Sequence, residues 1–216
     1  MPRPKSYSWP APDADGICLA QTTAGAGAFV INGALLDLPS TMQGVNRVVL
    51  AGIQRTVSIT CAADISGVDF TIVGTNLRGE AVTETIAGPD TTPTTAETTA
   101  EYHTITSVTV SDAVGTNTTI GTGTTGQTNW MVLDDFISPF NVGLGVTVTG
   151  TIDYDVQYTF DNVQATTSPV AFTHPDLDGK TASADGNFAF PCRAVQMLIN
   201  SSTNGTAVFT VAQAGA

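Results

Sequence analysis

The chain has 216 residues, of which 42% are hydrophobic and only 12% charged, with a formal net charge of −12. Ordinary globular chains carry roughly 25% charged residues, so this surface is poor in charge and leans acidic. An acidic chain is repelled by phosphate backbones, which argues against nucleic acid as a partner. The apolar content is adequate and well patterned, which argues against disorder.

A chain of this length buries on the order of 70% of its extended surface. It needs neither a metal nor a disulfide to hold a core. Cys18, Cys61 and Cys192 match no metal-binding spacing. They read as three reduced, buried residues acting as small hydrophobes, with one disulfide plus a free thiol as the alternative. No run of about 20 apolar residues suggests a membrane span. Met1 to Pro12 has basic residues but no apolar stretch of the kind a secretory signal needs. Synthesis in the cytoplasm without a secretory signal is the corresponding expectation.

Residues 1–16 read as an extended, proline-rich N-terminal arm. Pro2, Pro4, Pro10 and Pro12 disfavour helix and ladder pairing. Arg3 and Lys5 precede the first acid, Asp13, and make the arm basic. Tyr7 and Trp9 sit on it. Arg3, Lys5, Tyr7 and Trp9 are therefore the candidate partner-binding residues, reaching a neighbour by charge and aromatic burial. The competing reading is that the arm folds back on its own body.

Residues 17–216 read as the body. Ile17–Thr22, Ala28–Asn32, Arg47–Leu50 and Thr56–Cys61 are short strand candidates. In the last, Val57, Ile59 and Cys61 alternate with Thr56, Ser58 and Thr60, the period of a half-buried strand. Val68–Thr75 and Glu80–Ile86 flank Asn76-Leu77-Arg78-Gly79 and predict a hairpin. Gly88 to Glu101, rich in Thr and carrying Pro89 and Pro93, predicts a long exposed loop and a possible subdivision of the body. Thr104–Ser111 reads as a strand. The Gly/Thr/Asn segment after it, up to Gln127, offers Ile120 but little else to bury. Trp130–Phe140 is mixed and closes at Pro139.

Leu144–Phe160 is the clearest signal. Leu144, Val146, Val148, Ile152, Tyr154, Val156, Tyr158 and Phe160 all fall on even positions. The run is longer than one ordinary strand, and Gly150 predicts a bend, bulge or change of sheet. Asp161–Gly186 reads as loop. Asn187–Ile199 reads as one strand whose parity slips at a bulge near Pro191. Ala207, Phe209 and Val211 mark the last strand. The fold class is all-β: an antiparallel sandwich or jelly-roll type, with two small β-subdomains as a variant.

No constellation for chemistry stands out. His103 and His174 lie in no nucleophile motif. Asp13-Ala14-Asp15-Gly16 and Asp176-Leu177-Asp178-Gly179 have the alternate carboxylates of a calcium loop but lack its later bidentate Glu. Asp and Gly make such turns without a metal. Asp134-Asp135 and Asp153/Asp155 read as solvated carboxylates rather than a glycosidase pair. Trp130, Tyr154, Tyr158 and Phe160 face two readings, a ligand groove or a core, and the parity of the last three favours core. The expectation is a non-enzymatic protein with no cofactor and no catalytic or metal-binding residues.

Several phrases carry a resemblance. They are Gly150-Thr-Ile-Asp-Tyr-Asp-Val-Gln-Tyr-Thr-Phe-Asp-Asn162, Phe172-Thr-His-Pro175, Thr181-Ala-Ser-Ala-Asp-Gly-Asn-Phe-Ala-Phe-Pro191, Arg193-Ala-Val195 and Phe209-Thr-Val-Ala-Gln213. Ile72-Val-Gly-Thr-Asn-Leu-Arg-Gly-Glu-Ala-Val-Thr-Glu-Thr-Ile86 and Val108-Thr-Val110 join them, so the likeness covers most of Ala51 to Gln213. Together they resemble virion proteins of tailed bacteriophages, of the capsid decoration (cement) type. The resemblance implies a jelly-roll or related β-fold and a homo-oligomer, a trimer in that group. It implies the major capsid protein as partner, on the outer capsid surface of the virion. It carries over no active-site residue. A tail, baseplate or fibre module for host adsorption is the alternative, and a carbohydrate-binding module a third.

Overall fold

The computed structural model describes residues 4–38, 46–136 and 138–213. Among them are eighteen strands and no helix. In chain order the first nine are β1 (Lys5–Trp9), β2 (Cys18–Thr23), β3 (Gly27–Phe29), β4 (Leu36–Leu38), β5 (Arg47–Val49), β6 (Ile53–Cys61), β7 (Asp69–Thr75), β8 (Ala81–Ala87) and β9 (Thr95–Glu97). The others are β10 (Thr104–Val110), β11 (Val114–Thr128), β12 (Met131–Val132), β13 (Val142–Thr149), β14 (Ile152–Thr159), β15 (Phe172–Thr173), β16 (Ala184–Phe188), β17 (Ala194–Ser202) and β18 (Thr206–Gln213). The pairing is antiparallel, and the fold is of β-sandwich type.

The chain forms two compact units. Residues 12–124 make one, inserted between the two pieces of the other, residues 1–11 and 125–216. They are called here the inserted and the terminal unit.

In the inserted unit one sheet runs β4-β5-β10-β7-β8, with β3 also on β10. The predicted hairpin is present: β7 pairs β8 from Asp69↔Ala87 to Thr75↔Ala81. Gly79, at φ +80°, closes its turn with Asn76. The second layer holds β9, β6 and the first part of β11, with β2 along β11. Tyr102 joins the two layers. Its backbone bridges Arg55 on β6, and its hydroxyl donates to Ile72 O on β7.

Three expectations change here. β6 is covered on both faces: Thr56 and Ser58 are buried as well as Val57, Ile59 and Cys61. The Gly88–Glu101 stretch is not a plain exposed loop. β9 within it pairs with β6, Gly88, Pro89 and Thr98 are buried, and Glu84 on β8 accepts from Thr99 N, Thr99 Oγ1 and Ala100 N. The Gly/Thr segment before Gln127 is β11, fifteen residues long. Its apolar content is low because backbone crowds it. A Cβ at Gly121 would lie 2.0 Å from Asp13 O, so only glycine lets the chains approach there.

Arg55 is fully buried in this layer. Its Nε and Nη2 both donate to Gly123 O. Burial pushes its guanidinium down to about 10, with Glu97 and Asp13 acting the other way. It stays charged at neutral pH, and the two carboxylates balance it.

In the terminal unit one sheet runs β1-β18-β13-β16. The other sets β14 between β15 and β17, with β12 and the Gly126–Gln127 end of β11 also on β17. Gly150, at φ +79°, separates β13 in the first sheet from β14 in the second, so the long alternating run does change sheet there. The slip near Pro191 has the same cause and is not a bulge within one strand. β16 ends at Phe188 in the first sheet, and β17 starts at Ala194 in the second. Two short strands, β15 and β16, also occupy the stretch read as loop.

Truncating Arg55 removes a buried cation from a packed site. Arg55→Ala is expected to cost the inserted unit about 3–5 kcal/mol. Arg55→Met, which keeps the volume but leaves Gly123 O without this donor, is expected to cost about 1–3 kcal/mol. Urea unfolding of the two variants checks the order. Equal midpoints for both and for the wild type contradict it.

Candidate functional site

The three described arm residues, Lys5, Tyr7 and Trp9, do not come together as a site. Arg3 lies outside the described residues. Lys5 is exposed, and its Nζ is 3.5 Å from Val132 O. Tyr7 is half-buried and Trp9 is buried in the terminal unit. The reason is local. Pro4 and Pro10 bracket five proline-free residues, and these pair with β18 from Lys5↔Val211 to Trp9↔Ala207. The stretch is extended, as its prolines suggest, but it is laid into the sheet. Its indole is core and is not held out to a neighbour.

The polar groups singled out in the sequence are engaged within the fold. His103 Nδ1 is 3.0 Å from Ile53 O. His174 is buried, with Nδ1 accepting from Asp176 N and Nε2 3.2 Å from Asn187 O, so its ring spans two backbone groups. Asp13 Oδ1 accepts from Asp15 N within its own turn. Asp155 Oδ1 accepts from Gly179 N, and Gly179 sits at φ +57°. Asp153 takes Asn200 Nδ2, and Asp135 pairs with Arg193 Nε at 3.1 Å. Among the described residues no group of three or more His, Cys, Asp or Glu is placed to hold a metal. Both DxDG segments are turns in this structure.

The feature that is assembled is aromatic. Tyr158, near the end of β14, touches four rings: Phe160 at 5.7 Å, Phe172 at 5.6 Å, Phe188 at 4.9 Å and Phe190 at 5.5 Å. Phe160 meets Phe172 and Phe190 in turn, and Phe188 packs edge-on to His174 at 4.8 Å. These separations and tilts are those that favour ring pairs. The inner rings belong to the core. The outer ones do not: Phe160 is 52% exposed, Phe172 45%, Phe190 43% and Val170 beside them 61%. Single exposed apolar residues are ordinary, whereas touching exposed rings such as Phe160, Phe172 and Phe190 mark a candidate contact surface.

The reading of Tyr154, Tyr158 and Phe160 as core therefore holds only in part. Tyr154 is buried, Tyr158 is half-buried and Phe160 is exposed. Parity names the face a residue points to but not how far that face is covered. Tyr158 lies on β14, and Phe160 follows directly after the strand's end at Thr159. Trp130 is half-buried and stands apart from this ring group. Phe172, Phe190 and Val170 were missed as surface residues. Their signal was the absence of charge, since neither 163–173 nor 186–192 contains a charged residue.

Beside this aromatic shelf lies a shallow depression, open to solvent, whose lining includes Val132, Leu133, Asp135, Asp161, Val163 and Arg193. Asp161 links the two features: it follows Phe160 and its Oδ2 accepts from Val170 N at 2.7 Å. Phe136, at 89% exposure, stands next to Asp135. The shelf and depression offer ring faces, aliphatic surface and one ion pair. That set suits contact with apolar surface.

All three cysteines are free and buried. Burial pushes the Cys18 and Cys192 thiols up to about 12. Both are held neutral in the folded chain, above the free-thiol range of about 8.5. The folded state then binds more protons than the unfolded one between about 8.5 and 12, so these groups lower stability as pH rises through that window. Ellman's reagent at mildly alkaline pH is expected to leave Cys18 and Cys192 untouched in the native protein and to titrate them in urea. Stoichiometric reaction of either without denaturant contradicts the burial.

Compared with known proteins, the chain matches no family model and no curated protein.

Proposed function

We propose that this chain is a non-enzymatic structural protein of a bacteriophage particle, attached to the outside of the capsid as a decoration protein. The observation that carries the reading is the exposed shelf of Phe160, Phe172, Phe190 and Val170 on an otherwise tightly hydrogen-bonded β-framework. Aromatic residues that stay exposed on a folded chain are the ones that anchor protein–protein contacts. The polar clusters that might have suggested chemistry are engaged in turns and in tying strands together. The low charge of the surface suits broad contact with protein, and the sequence phrases that resemble phage virion proteins supply the setting.

On this reading the protein's partners are the major capsid protein and further copies of itself. Its job is mechanical: it adds buried interface to a shell and so raises the cost of separating shell subunits. No step of bond making is assigned to any residue.

Cryo-EM of the particle that encodes this chain, with and without the chain, tests the proposal. Density lost from the outside of the shell at symmetric positions is the expected result. Density lost from the tail or its fibres, or from nowhere, overturns it.

A further inference from the structure

We infer, deepening the self-contact part of the proposed function, that the aromatic shelf is a self-association surface whose occupant is the same shelf on another copy of this chain. The inference needs no particle and holds or fails on the purified protein. It starts from area. Taking about 200 Å² for a whole phenylalanine, the exposed fractions of Phe160, Phe172, Phe190 and Val170 sum to roughly 350 Å² of apolar surface on one copy. Stable interfaces bury about 800 Å² per partner, with an apolar centre and a polar rim. The shelf is the right size for that centre. The uncharged residues of 163–169, Val-Gln-Ala-Thr-Thr-Ser-Pro, are at hand for the rim.

Charge chooses the occupant. A chain of net charge −12 repels its own copies over most of its surface. At the shelf that repulsion is weak. Its two segments, 163–173 and 186–192, carry no formal charge. The adjoining charged groups come in both signs, with Asp161 and Asp135 on one side of the balance and Arg193 and Lys5 on the other. The terminal unit that bears the shelf has eight carboxylates against four basic residues, whereas the inserted unit has eleven against three. A basic partner would gain little at such a neutral face, while a second neutral face meets it without a charge penalty. Backbone adds to this. β15, which carries Phe172, is the edge strand of its sheet, so the shelf lies at a sheet edge, where pairing between chains is available.

Sedimentation equilibrium over a roughly hundredfold concentration range reads the outcome by mass action. The wild-type average mass is expected to climb from one copy toward a closed oligomer. Phe160→Ser together with Phe172→Ser is expected to hold the chain at one copy. Ala171→Arg tests the same point without removing a ring, because it sets a cation against its own image. Val30→Ser, at an exposed residue of the inserted unit, is expected to associate as the wild type does. Circular dichroism of each variant checks that the β-fold is kept. A wild type that remains a single copy throughout overturns the inference. So does an Ala171→Arg variant that is folded and associates as strongly as the wild type.

Discussion

The inserted unit is arranged around one buried cation. Arg55 has no exposed surface, so it must be satisfied by the chain itself. Gly123 O takes two of its N–H groups, and Glu97, which accepts from Thr56 and Thr124, supplies opposing charge. That demand sets the neighbours. Position 123 has to be glycine, since a Cβ there would lie 2.1 Å from Thr56 Oγ1. β9 has to lie along β6 to bring Glu97 near. Tyr102 has to sit opposite Arg55, where it ties one layer to the other. A chain so poor in ions places one of its seven cations in the interior.

Threonine does the work that charge does elsewhere. Its β-branch suits strands, and its hydroxyl closes gaps in the ladder. Thr98 Oγ1 accepts from Val57 N, Thr122 Oγ1 from Asp13 N, and Thr128 Oγ1 from Met197 N. Thr71 and Thr85, and Thr75 and Thr104, bond across adjacent strands. The surface ion pairs of the described residues, Arg47–Asp37, Arg78–Glu80 and Arg193–Asp135, add little by comparison. A surface finished this way keeps its hydrogen bonds inside the molecule and meets other protein with few charges to desolvate.

These same residues explain what sequence reasoning reached and what it did not. Alternation located β7, β14 and β18 because each has one face of apolar side chains, and the Asn76–Gly79 turn located β8 as the partner of β7. Gly150 was readable as a change of sheet because it breaks a long uniform run. β11 was not readable, since Thr and Gly stand where Val and Ile would have signalled a strand, and the reason is contact with Asp13 and Thr56 far away in sequence. β16 and β17 were merged because Phe188 and Val195 look alike to a period-two pattern, although they belong to different sheets. The arm misled for a related reason: four prolines advertise an exposed segment, while the five residues between Pro4 and Pro10 form an edge strand. The shelf was half legible. Its rings were visible, but their exposure depends on how far other segments cover them, which no local pattern encodes.

Assembly is proposed at the shelf, while the polar groups elsewhere tie turns and strands together. Hydrogen exchange of the purified protein at low and high concentration tests that division most directly. Added protection confined to amides of 158–173 and 186–193 at high concentration is the predicted result. Protection on β8 or another part of the inserted unit, with none at the shelf, would contradict it.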